Sequence, residues 1–246
     1  KKPANNEIWY TTSDGNKLNL NADRFGATIT SHEQRDGKWV LSFNSNLSMV
    51  GVDGSLNGAF ESQKTLTSIV LPDGITKICA YSFYKCSALE SIVLPANLQT
   101  IGAQSFVAAK LTTINIPASV TSIEYKAFDQ SSLTSVNVFA TTPPSLTNQE
   151  VFPRYIVVYV PEESIKAYER HTYWSWFTIK ALPDELLGGG GSEGGNEGGS
   201  EGGNEGGSEG GNEGGSEGGN EGGSEGGNEG DSEGGNEGGS EGGNDG

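Results

Sequence analysis

This chain of 246 residues has only two histidines, two cysteines and one methionine. Neither histidine, His32 nor His171, opens an H-x-x-x-H or H-E-x-x-H zinc pattern, and two thiols alone do not make a metal site. No metal or other cofactor is therefore expected. Residues 1–187 contain no G-x-S-x-G, no P-loop and no G-x-G-x-x-G, and no serine sits at a strained elbow. Glu90 and Asp73 have no evident partner for paired-carboxylate chemistry. No catalytic residue is assigned, and an enzyme is the least favoured reading. No apolar run approaches the length of a membrane span, so this chain is not expected to insert into a bilayer. Basic residues are also scarce. The formal net charge is −17, yet residues 188–246 hold 15 of the 32 acidic residues and none of the 15 basic ones, which leaves only −2 for residues 1–187. A nearly neutral body without a basic patch argues against nucleic acid or anionic lipid as the main partner.

What is abundant is glycine, and 30 of the 38 glycines lie in 188–246. There Gly-Gly-(Ser/Asn)-Glu repeats every four residues with no apolar side chain. Nothing offsets the cost of ordering such a segment, so the composition predicts a disordered, solvated tail. As a flexible coil it would span about 40–45 Å, more once its carboxylates repel one another. The period of four and the lack of an aliphatic residue do not match calcium-binding β-rolls.

The remainder repeats itself on a longer period. Leu66-Thr-Ser-Ile69-Val-Leu71-Pro72 is followed by Ile75, Ile78, Phe83 and Cys86. Leu89-Glu-Ser-Ile92-Val-Leu94-Pro95 is followed by Leu98, Ile101, Phe106 and Ala109. Leu111-Thr-Thr-Ile114-Asn-Ile116-Pro117 is followed by Val120, Ile123, Phe128 and Ser131. A fourth copy begins at Leu133 and puts Phe139 where proline stood. Alternation at the end of each Leu-x-x-Ile-x-Leu predicts a short strand with one face inward. Proline, lacking an amide hydrogen, ends it. The following Ile-x-x-Ile and phenylalanine predict a turn and a short irregular or 3-10 segment returning over the core. One repeat buries too little to fold alone, so the copies must stack.

These residues resemble the BspA-like, or Treponema-type, leucine-rich repeat, a bacterial cell-surface family. The resemblance extends over about 7–180, with degenerate copies at Leu47–Val50 and Gly58–Phe60 separated by a bulged loop near 52–57. It implies an α/β-type leucine-rich-repeat solenoid with short parallel strands. It also implies an extracellular or surface-attached protein in which Lys1-Lys2-Pro3 reads as a mature start with its leader removed. The expected organisation is an N-terminal β cap at 1–43, repeats at 44–139, a C-terminal strand-helix cap at 140–187 and the tail at 188–246. In the first cap, Asp14-Gly15 and Asp36-Gly37 each read as hairpin turns. In the second, 155–160 reads as a strand and 162–170 as one helix with Ile165 and Tyr168 inward, while Trp174 and Phe177 seal the last repeat. Cys79 and Cys86 are read as unpaired thiols in preference to a disulfide.

Surface then carries the function. Between the inward apolar residues, Thr67, Ser68, Val70, Glu90, Ser91, Val93, Thr112, Thr113, Asn115, Thr134, Ser135 and Asn137 are expected on the concave face, as candidate ligand contacts. Small polar residues also simply suit an exposed sheet. Tyr173 and Trp176 form a candidate aromatic platform, within a group that includes Tyr155 and Tyr159. The favoured reading is a non-catalytic, adhesin-like binding module whose partner is a host or bacterial surface protein or glycan. The alternatives are a carbohydrate-binding accessory module at the C-terminal aromatics and a structural spacer. Neither the ligand nor the oligomeric state follows from the sequence.

Overall fold

Each coil of this chain lays down two strands, not one. A computed structural model describes residues 2–187; the Gly/Glu tail, and the disorder expected of it, lie outside the described residues. The N-terminal part contributes β1 (Glu7–Thr12), β2 (Ile29–Arg35), β3 (Lys38–Phe43) and β4 (Met49–Val50). Longer and two-residue strands then alternate: β5 (Leu66–Val70), β6 (Lys77–Ile78), β7 (Ser91–Val93), β8 (Thr100–Ile101), β9 (Thr113–Ile116), β10 (Ser122–Ile123), β11 (Ser135–Val138) and β12 (Ser145–Leu146). The chain closes with β13 (Val157–Val160), the helix α1 (Ile165–Arg170) and β14 (Thr178–Ala181). The expected 3-10 return segment is thus a second strand followed by turns. The turn between the two is set by proline: the carbonyls of Pro72, Pro95 and Pro117 accept from the amides of Ile75, Leu98 and Val120 at 3.2, 3.0 and 3.1 Å.

The short strands form one unbroken parallel ladder, β12-β10-β8-β6-β4. Its register superposes the repeat, with Val50 opposite Ile78, Ile78 opposite Ile101 and Ile101 opposite Ile123. The long strands form two sheets instead. β5 and β7 pair with the N-terminal strands in the order β2-β3-β1-β5-β7, and β9 begins a separate sheet, β14-β13-β11-β9. No ladder joins β7 to β9 among the described residues. The break falls where the arm from phenylalanine to strand shortens, from nine positions (Phe83 to Ile92) to eight (Phe106 to Ile114). Ile92 at the break is half-buried, whereas Ile69 and Ile114 are buried.

Leu71, Leu94 and Ile116, at one position of successive coils, are 2%, 8% and 0% exposed, so each coil does cover its neighbour's apolar side. Beside them runs a column of rings. Phe60, Phe83, Phe106, Phe128 and Phe152 stack with centroids 5.4, 5.1, 5.0 and 5.2 Å apart and planes within 11° of parallel. Phe25 closes the column at one end, edge-on to Phe60, and Trp174 and Phe177 close it at the other against Phe152. Holding the rings at one height requires backbone that side chains ordinarily avoid. Ser62, Lys85, Ala108 and Gln130, each two positions past a phenylalanine, have φ between 56° and 60°. Such conformations cost energy. Here the amides of Ser62, Lys85 and Ala108 are rewarded by bonds of 2.7, 2.8 and 3.1 Å to the next coil, at Tyr84, Val107 and Asp129 carbonyls.

Close stacking also dictates glycine at Gly102. A Cβ there would lie 2.6 Å from the Ile78 carbonyl oxygen, so any side chain would push the coils apart. Cys79, one coil earlier at the same position, is buried and free, as is Cys86. Burial pushes the two thiols up to about 11 and about 12, which leaves both protonated and unreactive at neutral pH.

Of the two Asp-Gly turns, only Asp36-Gly37 makes a hairpin. Both residues take positive φ, 50° and 73°, as a two-residue turn between β2 and β3 requires. Asp14-Gly15 turns the chain, but Leu18 and Leu20 form no strand, because β1 already has β3 on one edge and β5 on the other. Pairing with β5 also explains how Leu66 and Ile69, three apart, are both buried: the register slips between Thr11 and Thr12, which face Ser68 and Leu66.

At the far end the expected single helix is a 3-10 turn at Glu162–Ser164 leading into α1. Tyr168 and Trp174 are fully buried and donate to the Ala140 and Pro144 carbonyls at 2.7 and 2.8 Å. His171 has a structural part here, its Nδ1 accepting from the Tyr173 amide at 3.3 Å. The strand expected at 155–160 begins only at Val157, and Tyr155 stands outside it.

Candidate functional site

The twelve residues expected on the strand face do not share one environment. Glu90, Ser91, Val93, Thr112, Thr113, Asn115 and Thr134 are exposed. Thr67, Ser68, Val70 and Ser135 are half-buried. The Thr11 hydroxyl, brought in by β1, lies 2.8 and 2.6 Å from those of Thr67 and Ser68. Asn137 is a correction: only 8% exposed, it donates its amide to Asn115 Oδ1 at 2.7 Å, so a polar rung bonds along the stack and not to solvent. Glu90, the sole carboxylate of the set, is paired with Lys110 at 2.6 Å.

The aromatic platform also differs from expectation. Trp176 is 71% exposed, but Tyr173 packs against the core and does not line the same space. Trp176 lines a cleft of about 440 Å³ together with Tyr155, which is 94% exposed. Lys126, Asp129, Glu150 and Arg154 line it too, with Phe152 and Phe177 at its base.

This cleft exists because the last coil falls out of step. Phe152 and Val158 are six positions apart, where Phe128 and Val136, their counterparts one coil earlier, are eight apart. The shortened arm does not follow the coil above it. The series of bonds at Ser62, Lys85 and Ala108 would continue from the Gln130 amide to the Pro153 carbonyl, and among the described residues that bond is absent. By strand register Tyr155 occupies the place of the buried Leu133. Its φ of 67° turns its ring outward, and Ile156, next in the chain, is buried instead. An aromatic residue held in left-handed backbone with its ring in solvent is strained.

The charges around the cleft balance. Lys126 lies 3.9 Å from Asp129 and 3.6 Å from Glu150, and the Tyr125 phenol, then Glu150, hold its ammonium above its ordinary range. Arg154 makes no ion pair among the described residues. Three of the four tryptophans donate their indole N–H within the protein: Trp9 to Glu7, Trp39 to the Gly15 carbonyl, Trp174 to the Pro144 carbonyl. Trp176 has no such partner among the described residues. Sequence reasoning named Trp176 but missed Arg154, Glu150, Asp129 and Lys126, which come from two coils. The available signal was Tyr155 standing where the repeat has leucine.

Strongly displaced proton affinities lie elsewhere, in the packing. Burial raises Tyr10 to about 12 and Tyr168 further still, and it lowers His32 to about 4, with Lys17 adding to the last effect. His32 is consequently neutral at pH 7, with its Nε2 hydrogen-bonded to the Tyr10 hydroxyl, which also accepts from the Leu18 amide. No cluster of three or more potential metal-ligating groups occurs among the described residues.

Residues 56–152 match the model of the BspA type leucine-rich repeat region in six copies. Residues 56–152 are thus a BspA type leucine-rich repeat region. One similar solved structure is the crystal structure of the pneumococcal vaccine antigen PcpA, at 18% identity and a TM-score of 0.35, with 55% of this chain and 42% of that chain covered. The match thus takes in less than half of the antigen chain. No curated protein matches. The matched residues begin inside the loop ahead of Phe60 and end at Phe152, the length of the stacked rings.

Proposed function

We propose that this chain is a non-catalytic binding module working outside the cell or on its surface, whose solenoid presents a protein or glycan ligand with a pre-formed surface. The observation that carries this reading is the exposed strand face of the third and fourth coils. There Thr112, Thr113, Asn115 and Thr134 stand in solvent on strands whose inward residues, Ile114, Ile116, Val136 and Val138, are buried. Rigid backing with small uncharged groups outward lowers the ordering cost of binding. The most strongly displaced groups, Tyr10, His32, Cys79, Cys86 and Tyr168, are each engaged in packing, and none of these lines the exposed face or the cleft, which supports a non-catalytic role.

The test is capture by the full chain at physiological salt on arrays of extracellular-matrix proteins, bacterial surface proteins and oligosaccharides. The reading expects selective capture, weakened by Thr113→Lys or Thr134→Lys or by substitution in the cleft, at unchanged melting temperature. Capture of nothing, under conditions where other solenoids of this family bind, would contradict it.

A further inference from the structure

We propose that the cleft between Tyr155 and Trp176 is a binding site for a neutral oligosaccharide. This rests on the binding-module reading and goes beyond it by naming place and ligand chemistry. About 440 Å³ lies within the range of small-molecule sites. Its two rings are the most exposed aromatics among the described residues, at 94% and 71%. Both are withheld from a core that seals itself with Trp174, Tyr168 and Phe177 a few residues away.

A pyranose ring has two kinds of surface, and the cleft offers a match for each. Its C–H faces are apolar and pack on aromatic rings, which Tyr155 and Trp176 provide. Its rim of hydroxyls needs acceptors and donors together. Asp129 and Glu150 supply acceptors, while Arg154 and the unpartnered Trp176 indole N–H supply donors. Two cations and two anions line the space, with Lys126 set between the two carboxylates, so the lining as a whole offers no net charge to an ionic ligand. An acidic sugar would meet Asp129 and Glu150, and a cationic ligand would meet Lys126 and Arg154. An uncharged sugar meets neither penalty.

The backbone holds the site in place before any ligand arrives. Tyr155 is fixed in a strained left-handed conformation between the buried Phe152 and Ile156. Trp176 ends a 3-10 turn whose first residue, Trp174, is locked in the core. Two platforms anchored by buried neighbours lose little freedom on binding.

The full chain should be titrated with a panel of neutral gluco-, manno- and galacto-configured oligosaccharides, alongside uronic-acid and sialylated ones, by calorimetry and tryptophan fluorescence. At least one neutral member should bind and perturb the fluorescence. Trp176→Ala should then weaken binding about tenfold or more, as loss of a stacking anchor does, with the melting temperature unchanged. Tyr155→Gly, which relieves the backbone strain, should weaken binding while raising the melting temperature. Three results would overturn the proposal: neutral sugars bound equally well by Trp176→Ala, preference for acidic sugars lost in Arg154→Gln, or no oligosaccharide bound at millimolar concentration. In the third case, capture of a protein ligand that Thr113→Lys abolishes would leave the binding-module reading standing without the cleft. Failure of both would remove both.

Discussion

Along its inner column the molecule is continuous, and along its outer strands it is interrupted. Five phenylalanines stack within 5.4 Å of one another without a gap, and the two-residue strands beside them pair from β4 through to β12. Among the described residues the long strands break once, between β7 and β9, and the arm that follows Phe152 departs from the stack before β13 rejoins it beside β11. The difference teaches where the repeat is constrained. A coil can change the length of its outer arm by one or two residues and still stack. It cannot move its phenylalanine or the isoleucine of its short strand, because each is one rung in a ladder of backbone bonds. Variation is therefore confined to the rim, and the rim is where a binding surface can be built.

The sharpest way to break this contrast is to remove a central ring. Phe106→Ala should cost about 3–5 kcal/mol in denaturant unfolding, as loss of a buried aromatic does. Thr113→Ala, on the exposed face of the next strand, should change stability by less than about 0.5 kcal/mol. Comparable losses at the two positions would erase the distinction between column and rim.

Next in size is the spacing of the coils. Gly102→Ala places a methyl 2.6 Å from a backbone oxygen, and the expected loss is about 1–3 kcal/mol by overpacking. Gly54→Ala, in the bulged loop, meets no atom within 4 Å and should lose less, through its φ of 72° alone. Equal losses would show that coil contact is not what demands glycine.

The column and rim were not equally legible in the sequence. Phe60, Phe83, Phe106 and Phe128 declare themselves because their distance from the short-strand residue stays at five positions, or ten where the bulged loop intervenes. Asp36-Gly37 declares its hairpin because the flanking runs pair with each other. Asp14-Gly15 carries the same dipeptide, yet the partner of β1 is the distant Leu66–Val70, which no local signal reveals. Asn137 looked like a solvent rung, since alternation says which face a residue occupies but not that Asn115 waits 2.7 Å away. The cleft was half visible. Trp176 stood out as an aromatic with no core position, whereas its polar walls depend on an arm two residues shorter than its neighbours.

A smaller effect separates two chemically identical positions. Ser82 and Ser105 occupy the same place in adjacent coils and both are fully buried. Ser82 donates its hydroxyl within reach of the Val50 and Cys79 carbonyls at 2.9 and 2.8 Å, and Ser105 Oγ has no partner. Ser82→Ala should cost about 1 kcal/mol, while Ser105→Ala should be neutral or stabilising, because it removes an unsatisfied group. The opposite order would place the two hydroxyls differently from this structure.

The smallest expected effect is on pH dependence at the N-terminal cap. His32 has a folded-state value of about 4, below its ordinary 6.5. Between these values the unfolded chain takes up a proton that the folded chain refuses, so the stabilising contribution is whole above pH 6.5 and declines as pH falls toward 4. The melting temperature of His32→Gln should therefore fall less steeply between pH 7 and pH 4.5 than that of the parent. Parallel slopes would mean that His32 is solvated in the folded state.

The central claim is that the coils hold one another up through a shared column, and hydrogen exchange in the full chain tests it most directly. The amides of Cys79, Gly102 and Glu124 bond to the Val50, Ile78 and Ile101 carbonyls at 2.9, 2.8 and 2.9 Å, one rung per coil. All three should be strongly protected in the parent and should lose protection together in Phe106→Ala. Protection lost at Gly102 and Glu124 but untouched at Cys79 would contradict the account, since it would mean that the coils fold as separate units.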